Sequence, residues 1–148
     1  RVLLVEDDTL AMDMARTALG ALGITRITLA TGGAQALAAL DTGLNCELVI
    51  SDWNMPNFDG LKLLEAVRER WFDVTFLMVT NNETLDHIRA ARDAGVDGYL
   101  IKPYSLNQLR EAIQLALIFR SVGLGGRAAK SLWGKSAGVG RLRGKWFA

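Results

Sequence analysis

The fold is decided by the stretch Leu48-Val49-Ile50-Ser51-Asp52-Trp53-Asn54-Met55-Pro56-Asn57-Phe58-Asp59-Gly60. An apolar run ends at a single carboxylate, Asp52, and Pro56, Asn57 and Gly60 then favour a turn. Val and Ile are typical of a buried strand. We therefore expect Asp52 at the carboxyl end of a central strand, which is where open α/β sheets bind their ligands.

Strand-like and helix-like patterns alternate on both sides of this stretch. The predicted strands are Val2–Val5, Ile24–Ala30, Glu47–Ser51, Val74–Val79 and Gly98–Ile101. Apolar residues at helical spacing predict five helices, which start near Thr9, Ala34, Gly60, Glu83 and Ser105. This alternation predicts an α/β fold in which a parallel sheet is covered on both faces.

Two helices show the apolar stripe that we expect to face the core. In the first helix the stripe is Leu10, Met14, Ala18 and Leu22; in the last it is Leu106, Leu109, Ile113 and Leu117. Asp8 or Thr9 is suited to cap the first helix, and Ser105 is suited to cap the last.

The composition is that of a globular protein. Half of the 148 residues are hydrophobic, and no apolar run reaches the roughly 18 residues that a membrane span requires. The first residues lead straight into an acidic cluster, which argues against a signal peptide. The single cysteine, Cys46, excludes an internal disulfide and fits a reducing cytoplasm.

Charge divides the chain into an acidic body and a basic tail. Residues 1–119 carry all 16 acidic residues and 10 of the 17 basic ones, a net charge of −6. Residues 120–148 carry the other 7 basic residues and no acid. We predict one domain over residues 1–120 and a separate Gly- and Trp-containing tail over 121–148. The tail is an extension without a role, a segment that contacts nucleic acid or an anionic membrane, or a segment that packs on the acidic body or on a second copy.

Chemically reactive side chains follow the predicted strands. Glu6 and Asp7 follow the first strand, Asp52 the third, Thr80 the fourth and Lys102 the fifth. The carboxyl ends of parallel strands share one edge of the sheet, so these residues should converge. Clustered carboxylates bind a hard cation such as Mg²⁺. The cation and Lys102 would then neutralise the charge of a phosphoryl group in transfer.

Four motifs in this order resemble the CheY-like receiver domains of two-component response regulators. They are Val5-Glu6-Asp7-Asp8, Asp52-Trp53-Asn54-Met55-Pro56, Val79-Thr80 and Lys102-Pro103. Each motif alone is weakly specific, and the four together are highly specific. The resemblance covers residues 1 to about 119 and implies a doubly wound, flavodoxin-like sheet with strand order 2-1-3-4-5 and five helices.

The resemblance also implies roles for the acidic residues. Asp52 corresponds to the phospho-acceptor, which takes a phosphoryl group from a sensor histidine kinase, a phosphotransfer protein or a small phosphodonor. Glu6 and Asp7 correspond to the acidic pair that holds Mg²⁺ together with Asp52 and the main-chain carbonyl of Asn54. Lys102 corresponds to the lysine that contacts the phosphoryl group. Such a protein is a cytoplasmic signalling switch rather than an enzyme in the usual sense.

Two further residues correspond to the switch of the family. Thr80 matches the hydroxyl that responds to the phosphoryl group, and Tyr99 matches the aromatic residue that follows its movement. The response would alter the face made by the fourth helix, fifth strand and fifth helix, where a downstream target or a second copy binds. The family also implies a cis peptide bond between Lys102 and Pro103.

One residue departs from the family pattern. The residue after the switch threonine is usually small, but here it is Asn81. Asn81 is positioned to narrow the access of phosphodonors or to add a hydrogen bond to the phosphoryl group. Asn54 and Asn82 flank the path of a hydrolytic water, so we expect these amides to set the lifetime of an aspartyl phosphate.

Three other functions compete with the receiver. An Mg²⁺-dependent phosphatase with an aspartyl nucleophile requires an acid at position 54, where this chain has Asn54. A flavin-binding module requires a phosphate-cradling loop after the first strand, where Glu6, Asp7 and Asp8 would repel a phosphate. A receiver-like module that binds partners without being phosphorylated remains as an alternative because of Asn81.

Side chains near the site are predicted from the sequence as follows. Tyr99 is expected to be half-buried and Trp53 to be partly exposed. The only histidine, His87, is expected to be an exposed or structural helix residue rather than a ligand.

Overall fold

The computed structural model describes residues 1–121. Five strands alternate with five helices in the order β1 (Val2–Val5), α1 (Thr9–Ala21), β2 (Ile27–Ala30), α2 (Gly33–Asp41), β3 (Leu48–Asp52), α3 (Gly60–Arg70), β4 (Thr75–Thr80), α4 (Leu85–Asp93), β5 (Gly98–Ile101) and α5 (Leu106–Ser121). The tail predicted over 121–148 lies, apart from Ser121, outside the described residues. Within residues 1–121, every helix is too short or too polar to cross a membrane.

All strand pairs of the sheet are parallel, and the strand order is β2-β1-β3-β4-β5. The α/β fold with the flavodoxin-like order 2-1-3-4-5 is therefore confirmed. The register brings Val5 opposite Ser51 and Asp52 opposite Val79. The residues that follow β1, β3 and β4 consequently emerge side by side at one edge of the sheet.

The core lies in two layers, one on each face of the sheet. One layer packs residues such as Val49 and Phe76 against α2, α3 and α4. The other packs residues such as Ile50 and Leu77 against α1 and α5. Neighbouring strand residues point to opposite faces, so the apolar run of β3 serves both layers and is buried throughout its apolar part.

The predicted buried stripe of α1 is wrong in its first half, whereas Ala18 and Leu22 are partly buried and pack against the core. Leu10 and Met14 are 69% and 64% exposed, whereas Met12 and Leu19 are buried. Apolar residues occur on both sides of this helix, so spacing alone did not identify the side that faces the sheet. In α5, Leu109 and Ile113 are buried as predicted, but Leu106 and Leu117 lie at the margin of the core and are partly exposed.

The first helix closes on Gly23, and the second strand starts later than predicted. Gly23 has a positive φ of 84°, and the amide of Ile24 donates to the carbonyl of Leu19 at 3.0 Å. This is the hydrogen-bond pattern that closes a helix on a glycine. Ile24 therefore belongs to the capping turn that follows α1, and β2 begins at Ile27 rather than at Ile24.

The predicted helix caps are present. The Asp8 side chain accepts a hydrogen bond from the amide of Ala11 at 2.9 Å, which caps α1. The Ser105 hydroxyl accepts from the amide of Gln108 at 3.1 Å, and the Gln108 side chain accepts from the amide of Ser105 at 2.8 Å. This reciprocal pair is a capping box at the start of α5.

A buried ionic cluster fixes α3 and α5 to the amino-terminal edge of the sheet. The fully buried carboxylate of Asp97 binds Arg68 of α3 at 2.6 Å and Arg120 of α5 at 3.0 Å. It also accepts a hydrogen bond from the amide of Phe76 at 2.8 Å. Burial raises the pKa of Asp97 and lowers the pKa of Arg68 to about 10. This cluster was not predicted from the sequence.

Candidate functional site

Three carboxylates meet at the carboxyl edge of the sheet. Glu6 follows β1, Asp7 follows Glu6, and Asp52 is the last residue of β3. One oxygen from each residue lies within 4.8 Å of the others. Glu6 is buried, Asp52 is half-buried and Asp7 is exposed. The parallel pairing of β1 with β3 produces this convergence, because it aligns the ends of the two strands.

Lys102 joins two of these carboxylates. Its ammonium group donates to Glu6 at 3.0 Å and to Asp52 at 3.3 Å. The amide of Lys102 also donates to the carbonyl of Thr80 at 2.9 Å, which fixes the backbone just beyond β5. The lysine therefore lies beside the reactive carboxylate instead of in solvent, and the peptide bond to Pro103 is cis, as the family implies.

Burial and the charges of neighbouring groups shift the pKa values of Glu6 and Lys102. Burial raises the pKa of Glu6, and the hydrogen bond from Lys102 only partly offsets this rise. Burial lowers the pKa of Lys102, but the hydrogen bond to Glu6 and the charges of both carboxylates outweigh this effect and leave the pKa raised. Lys102 therefore remains an ammonium ion at neutral pH.

Hydrogen bonds from Asn54 and Gly60 fix the backbone around Asp52. The amide of Asn54 donates to Asp52 Oδ1 at 3.3 Å, and the amide of Gly60 donates to the carbonyl of Trp53 at 2.8 Å. A Cβ atom on Gly60 would lie 2.3 Å from the carbonyl oxygen of Asp52. The start of α3 thus packs directly against the backbone that presents the carboxylate.

Thr80 and Tyr99 share one partner, Asn82. Thr80 is fully buried at the end of β4, and its hydroxyl oxygen accepts from the amide of Asn82 at 3.2 Å. The hydroxyl of Tyr99 donates to the carbonyl of Asn82 at 2.8 Å. Both side chains therefore hold the loop between β4 and α4, and a shift of this loop changes both contacts.

Two predictions about exposure are wrong. Tyr99 is fully buried rather than half-buried, and Trp53 is 7% exposed rather than partly exposed. The Trp53 ring lies edge-on to Tyr99 and to His87 of α4, with ring centroids 6.4 Å and 5.0 Å apart. His87 itself is half-buried, and its ring contact with Trp53 fits the predicted structural helix residue. Trp53 and Met55 of the loop after β3 are buried in the same core layer as Tyr99, which the order of residues alone does not reveal.

Three asparagine side chains connect the loops on either side of the site. Asn54 Nδ2 donates to Asn81 Oδ1 at 3.2 Å, and Asn82 Nδ2 donates to Asn54 Oδ1 at 3.4 Å. The sequence analysis singled out these three residues, but it did not predict that they bond to one another. We call Asn54, Asn81 and Asn82 the amide bridge.

The donor set fits a hard divalent cation. Glu6, Asp7 and Asp52 supply carboxylate oxygens close enough to share one ion. Mg²⁺ prefers one or two carboxylates and retains several waters, and the exposure of Asp7 leaves room for them. Among the described residues this acidic group is the one that meets the distance requirement for a metal site.

Comparison with known proteins identifies the family. The sequence model of the response regulator receiver domain matches residues 2–114, so the chain belongs to this family. The chain is 38% identical to the chemotaxis protein CheY of Pseudomonas aeruginosa over 116 residues, which cover 77% of this chain and 93% of the relative. It is 29% identical to CheY1 of Helicobacter pylori over 119 residues, which cover 79% of this chain and 96% of the relative.

Solved structures show the same fold. A CheY-like response regulator receiver domain protein from Methanospirillum hungatei superposes with a TM-score of 0.75 at 27% identity, covering 83% of this chain and 97% of that one. The signal receiver domain of an HD domain-containing protein from Pseudomonas fluorescens superposes with a TM-score of 0.73 at 28% identity, covering 82% and 96%. The described part of this chain therefore has the fold of solved receiver domains.

Proposed function

We propose that this receiver domain is a switch driven by phosphorylation of Asp52. The observation that supports this most directly is the position of Lys102, whose ammonium group lies between Glu6 and Asp52. A cation held beside an otherwise repulsive acidic cluster is suited to bind an incoming phosphoryl group. The family membership of residues 2–114 supports the same function.

The proposed transfer is a displacement at phosphorus. An oxygen of Asp52 attacks, and an O–P bond forms while the bond between phosphorus and the donor's nitrogen or oxygen breaks. The electron pair of that bond leaves with the donor group. Lys102 moves from carboxylate pairing to contact with the phosphoryl oxygens, and Thr80 donates its hydroxyl to another of them.

Magnesium would be held by Glu6, Asp7, Asp52 and the main-chain carbonyl of Asn54. Bound there, it supplies charge neutralisation between the carboxylates and the phosphoryl oxygens. The fit of the three carboxylates supports this assignment. Asp8 is not needed as a ligand, because its side chain caps α1.

The change of state would begin at Thr80 and pass to Tyr99. A hydroxyl that turns towards a phosphoryl oxygen gives up its present contact with the amide of Asn82. Because Tyr99 binds the carbonyl of the same residue, the movement reaches the aromatic ring. The phosphoryl group thereby shifts an existing equilibrium between two arrangements of the face formed by α4, β5 and α5. A downstream target or a second copy reads that face.

The proposed donor is a sensor histidine kinase or a phosphotransfer protein, and the proposed location is the cytoplasm. Both follow from the family and from relatives described as chemotaxis proteins. Cys46 is a buried free thiol, which fits a reducing compartment. The Mg²⁺-dependent phosphatase is disfavoured because position 54 offers an amide that is engaged in the amide bridge.

Phosphorylation with acetyl phosphate tests the proposal. We expect intact-mass spectrometry to show a gain of one phosphoryl group that requires Mg²⁺ and is lost in Asp52→Asn. Asp13→Asn is the matched control, since Asp13 is an exposed carboxylate of α1 outside the cluster. An adduct of equal yield in Asp52→Asn would contradict the proposal. An absence of adduct with both acetyl phosphate and a cognate histidine kinase would favour the partner-binding module.

A further inference from the structure

The ring of Trp53 joins the phosphorylation site to α4. Trp53 directly follows Asp52 in the chain, and its side chain is buried. Its ring is edge-on to Tyr99 at a centroid distance of 6.4 Å and to His87 at 5.0 Å. Aromatic rings attract each other at such distances and angles. The ring therefore contacts Tyr99 of the proposed switch on one side and the first turn of α4 on the other.

The side chain of His87 is attached to the start of α4. The helix follows the N-cap residue Thr84, whose hydroxyl oxygen accepts a hydrogen bond from the amide of His87 at 3.4 Å. The same hydroxyl forms a hydrogen bond with Nδ1 of the His87 ring. A displacement of the ring therefore also changes the contacts of the helix cap.

The position of α4 depends on contacts with the rest of the protein. The helix has nine residues, of which Ile88 and Ala91 are buried. Isolated helices of this length are marginal in water, so packing has to stabilise them. Ile88 and Ala91 pack in the core layer that also contains Trp53 and Tyr99. The ring of His87 adds a contact with the residue next to Asp52.

The backbone of Trp53 is fixed, so its side chain is the part that can rearrange. The amide of Gly60 donates to the carbonyl of Trp53 at 2.8 Å, and a Cβ atom on Gly60 would lie 2.8 Å from Trp53 Cα. A densely packed interior responds to a moved neighbour by a change between discrete packing arrangements. A change at Tyr99 therefore alters the position of the Trp53 ring and its contact with His87.

We propose that His87 is a positioning residue of the switch, which couples the ring of Trp53 to the first turn of α4. Phosphorylation of Asp52 displaces α4 through the contact between the two rings, in addition to the contacts of Thr80 and Tyr99 with the loop before α4. This role of His87 rests on the proposed phosphorylation of Asp52, but it concerns the response of α4 and not the transfer itself. Without the ring contact, Asp52 is phosphorylated as before and α4 loses most of its response.

His87 is itself a direct probe of the contact. It is the only histidine of the chain, so its ring gives a single Hε1 signal in the proton NMR spectrum of the untagged protein. We expect acetyl phosphate with Mg²⁺ to shift this signal in the wild type, because the ring current of Trp53 changes with the position of its ring. In Asp52→Asn the signal should stay in place. Spectra recorded at about pH 8, where imidazole groups are ordinarily neutral, exclude a shift caused by acidification.

Two substitutions separate the ring contact from the helix cap. His87→Phe keeps an aromatic ring beside Trp53 but removes the ring nitrogen that bonds to Thr84. His87→Asn keeps a polar partner for Thr84 but removes the ring. We expect phosphorylation to shift the backbone amide signals of residues 90–93 in the wild type and in His87→Phe, and most of that shift to be lost in His87→Asn. A role confined to capping α4 predicts the opposite order.

Two further measurements on the same samples separate the transfer from the response. Intact-mass spectrometry should show one added phosphoryl group in the wild type and in both His87 variants, and the amide signal of Tyr99 should shift in all three. Arg89→Ala is the control, since Arg89 is an exposed residue of α4. It should keep the full shift of residues 90–93.

Three results would overturn the role of His87. One is a shift of residues 90–93 that is as large in His87→Asn as in the wild type. Another is a loss of this shift in His87→Phe, which would assign the effect to the helix cap. The third is a wild-type protein that carries the phosphoryl group while its His87 Hε1 signal does not move. A wild-type protein without the added mass would instead contradict the proposed function of Asp52.

Discussion

At the scale of single residues, Asn81 is the position at which the chain departs from the pattern that the resemblance implies. The residue that usually follows the switch threonine is small, whereas Asn81 carries an amide that accepts a hydrogen bond from Asn54. The amide bridge joins the loops after β3 and β4, and the main-chain amide of Asn54 donates to Asp52 Oδ1. We expect a donor molecule to pass these amides or displace them on its way to Asp52.

Asn81→Ala should therefore raise the rate of phosphorylation by acetyl phosphate and change the rate at which the phosphoryl group is lost. Removing one net side-chain hydrogen bond costs about 1 kcal/mol, so a change in rate of roughly fivefold is expected. Asn107→Ala is the control, because Asn107 is an exposed amide on α5. Unchanged rates of both steps in Asn81→Ala would rule out a role for this residue.

The sequence was sufficient to place the reactive residues but not to describe their surroundings. Glu6, Asp52 and Lys102 each follow an apolar strand, and parallel pairing alone brings such residues together. The burial of Trp53 and Tyr99 depends on how the loop after β3 and α4 fold over the sheet. No local pattern encodes that arrangement.

At the scale of the elements, the contact of α3 with β3 sets the position of Asp52. A Cβ atom on Gly60 would lie 2.3 Å from the carbonyl oxygen of Asp52 and 2.8 Å from Trp53 Cα. Both neighbours are backbone atoms of the strand end. The helix can approach this closely only because residue 60 has no side chain.

Gly60→Ala should destabilise the protein by about 1–3 kcal/mol through overpacking and should slow phosphorylation by displacing Asp52. The matched substitution Gly20→Ala lies in the last turn of α1, where a Cβ meets nothing within 4 Å. It should stabilise the protein by about 0.5–1 kcal/mol, because glycine is unfavourable in a helix. Urea denaturation measures both, and equal stabilities of the two variants would contradict the packing described here.

The buried ionic cluster at Asp97 should contribute more to the free energy of unfolding than an ion pair on the surface does. Asp97→Ala leaves Arg68 and Arg120 without their buried partner, and this should cost about 3–5 kcal/mol. Asp41→Ala breaks a pair with Arg70 that lies on the surface and should cost at most about 1 kcal/mol. Thermal and urea unfolding measure the difference. Similar losses in the two variants would show that the cluster contributes no more than a surface ion pair.

The existence and order of the elements were predictable, because strands and helices alternate with clear turn residues between them. The side of α1 that faces the sheet was not predictable, because Leu10 and Met14 continue a helical spacing but are exposed to solvent. The apolar pattern of that helix contains both a core stripe and a surface stripe. Only the position of the sheet distinguishes them.

At the scale of the whole molecule, the acidic site should couple Mg²⁺ binding to folding. Three carboxylates in close proximity repel one another, and Lys102 compensates for only part of that charge. An ion that binds the folded state but not the unfolded one stabilises the fold by mass action, by about 2.7 kcal/mol at 100 times its dissociation constant.

We expect MgCl₂ to raise the melting temperature beyond the effect of NaCl at the same ionic strength. Asp7→Asn should remove most of this increase, and Asp13→Asn should retain it. A rise of equal size in both variants would show that the ion does not bind at the cluster of Glu6, Asp7 and Asp52.

The central claim is that Asp52 itself carries the phosphoryl group, and borohydride reduction tests it most directly. Reduction converts an aspartyl phosphate into homoserine, and peptide mass spectrometry locates the converted residue. After incubation with acetyl phosphate and Mg²⁺, the proposed mechanism predicts homoserine at position 52 and unmodified aspartate at positions 7, 8 and 59. Homoserine at one of those three positions, with Asp52 intact, would contradict it.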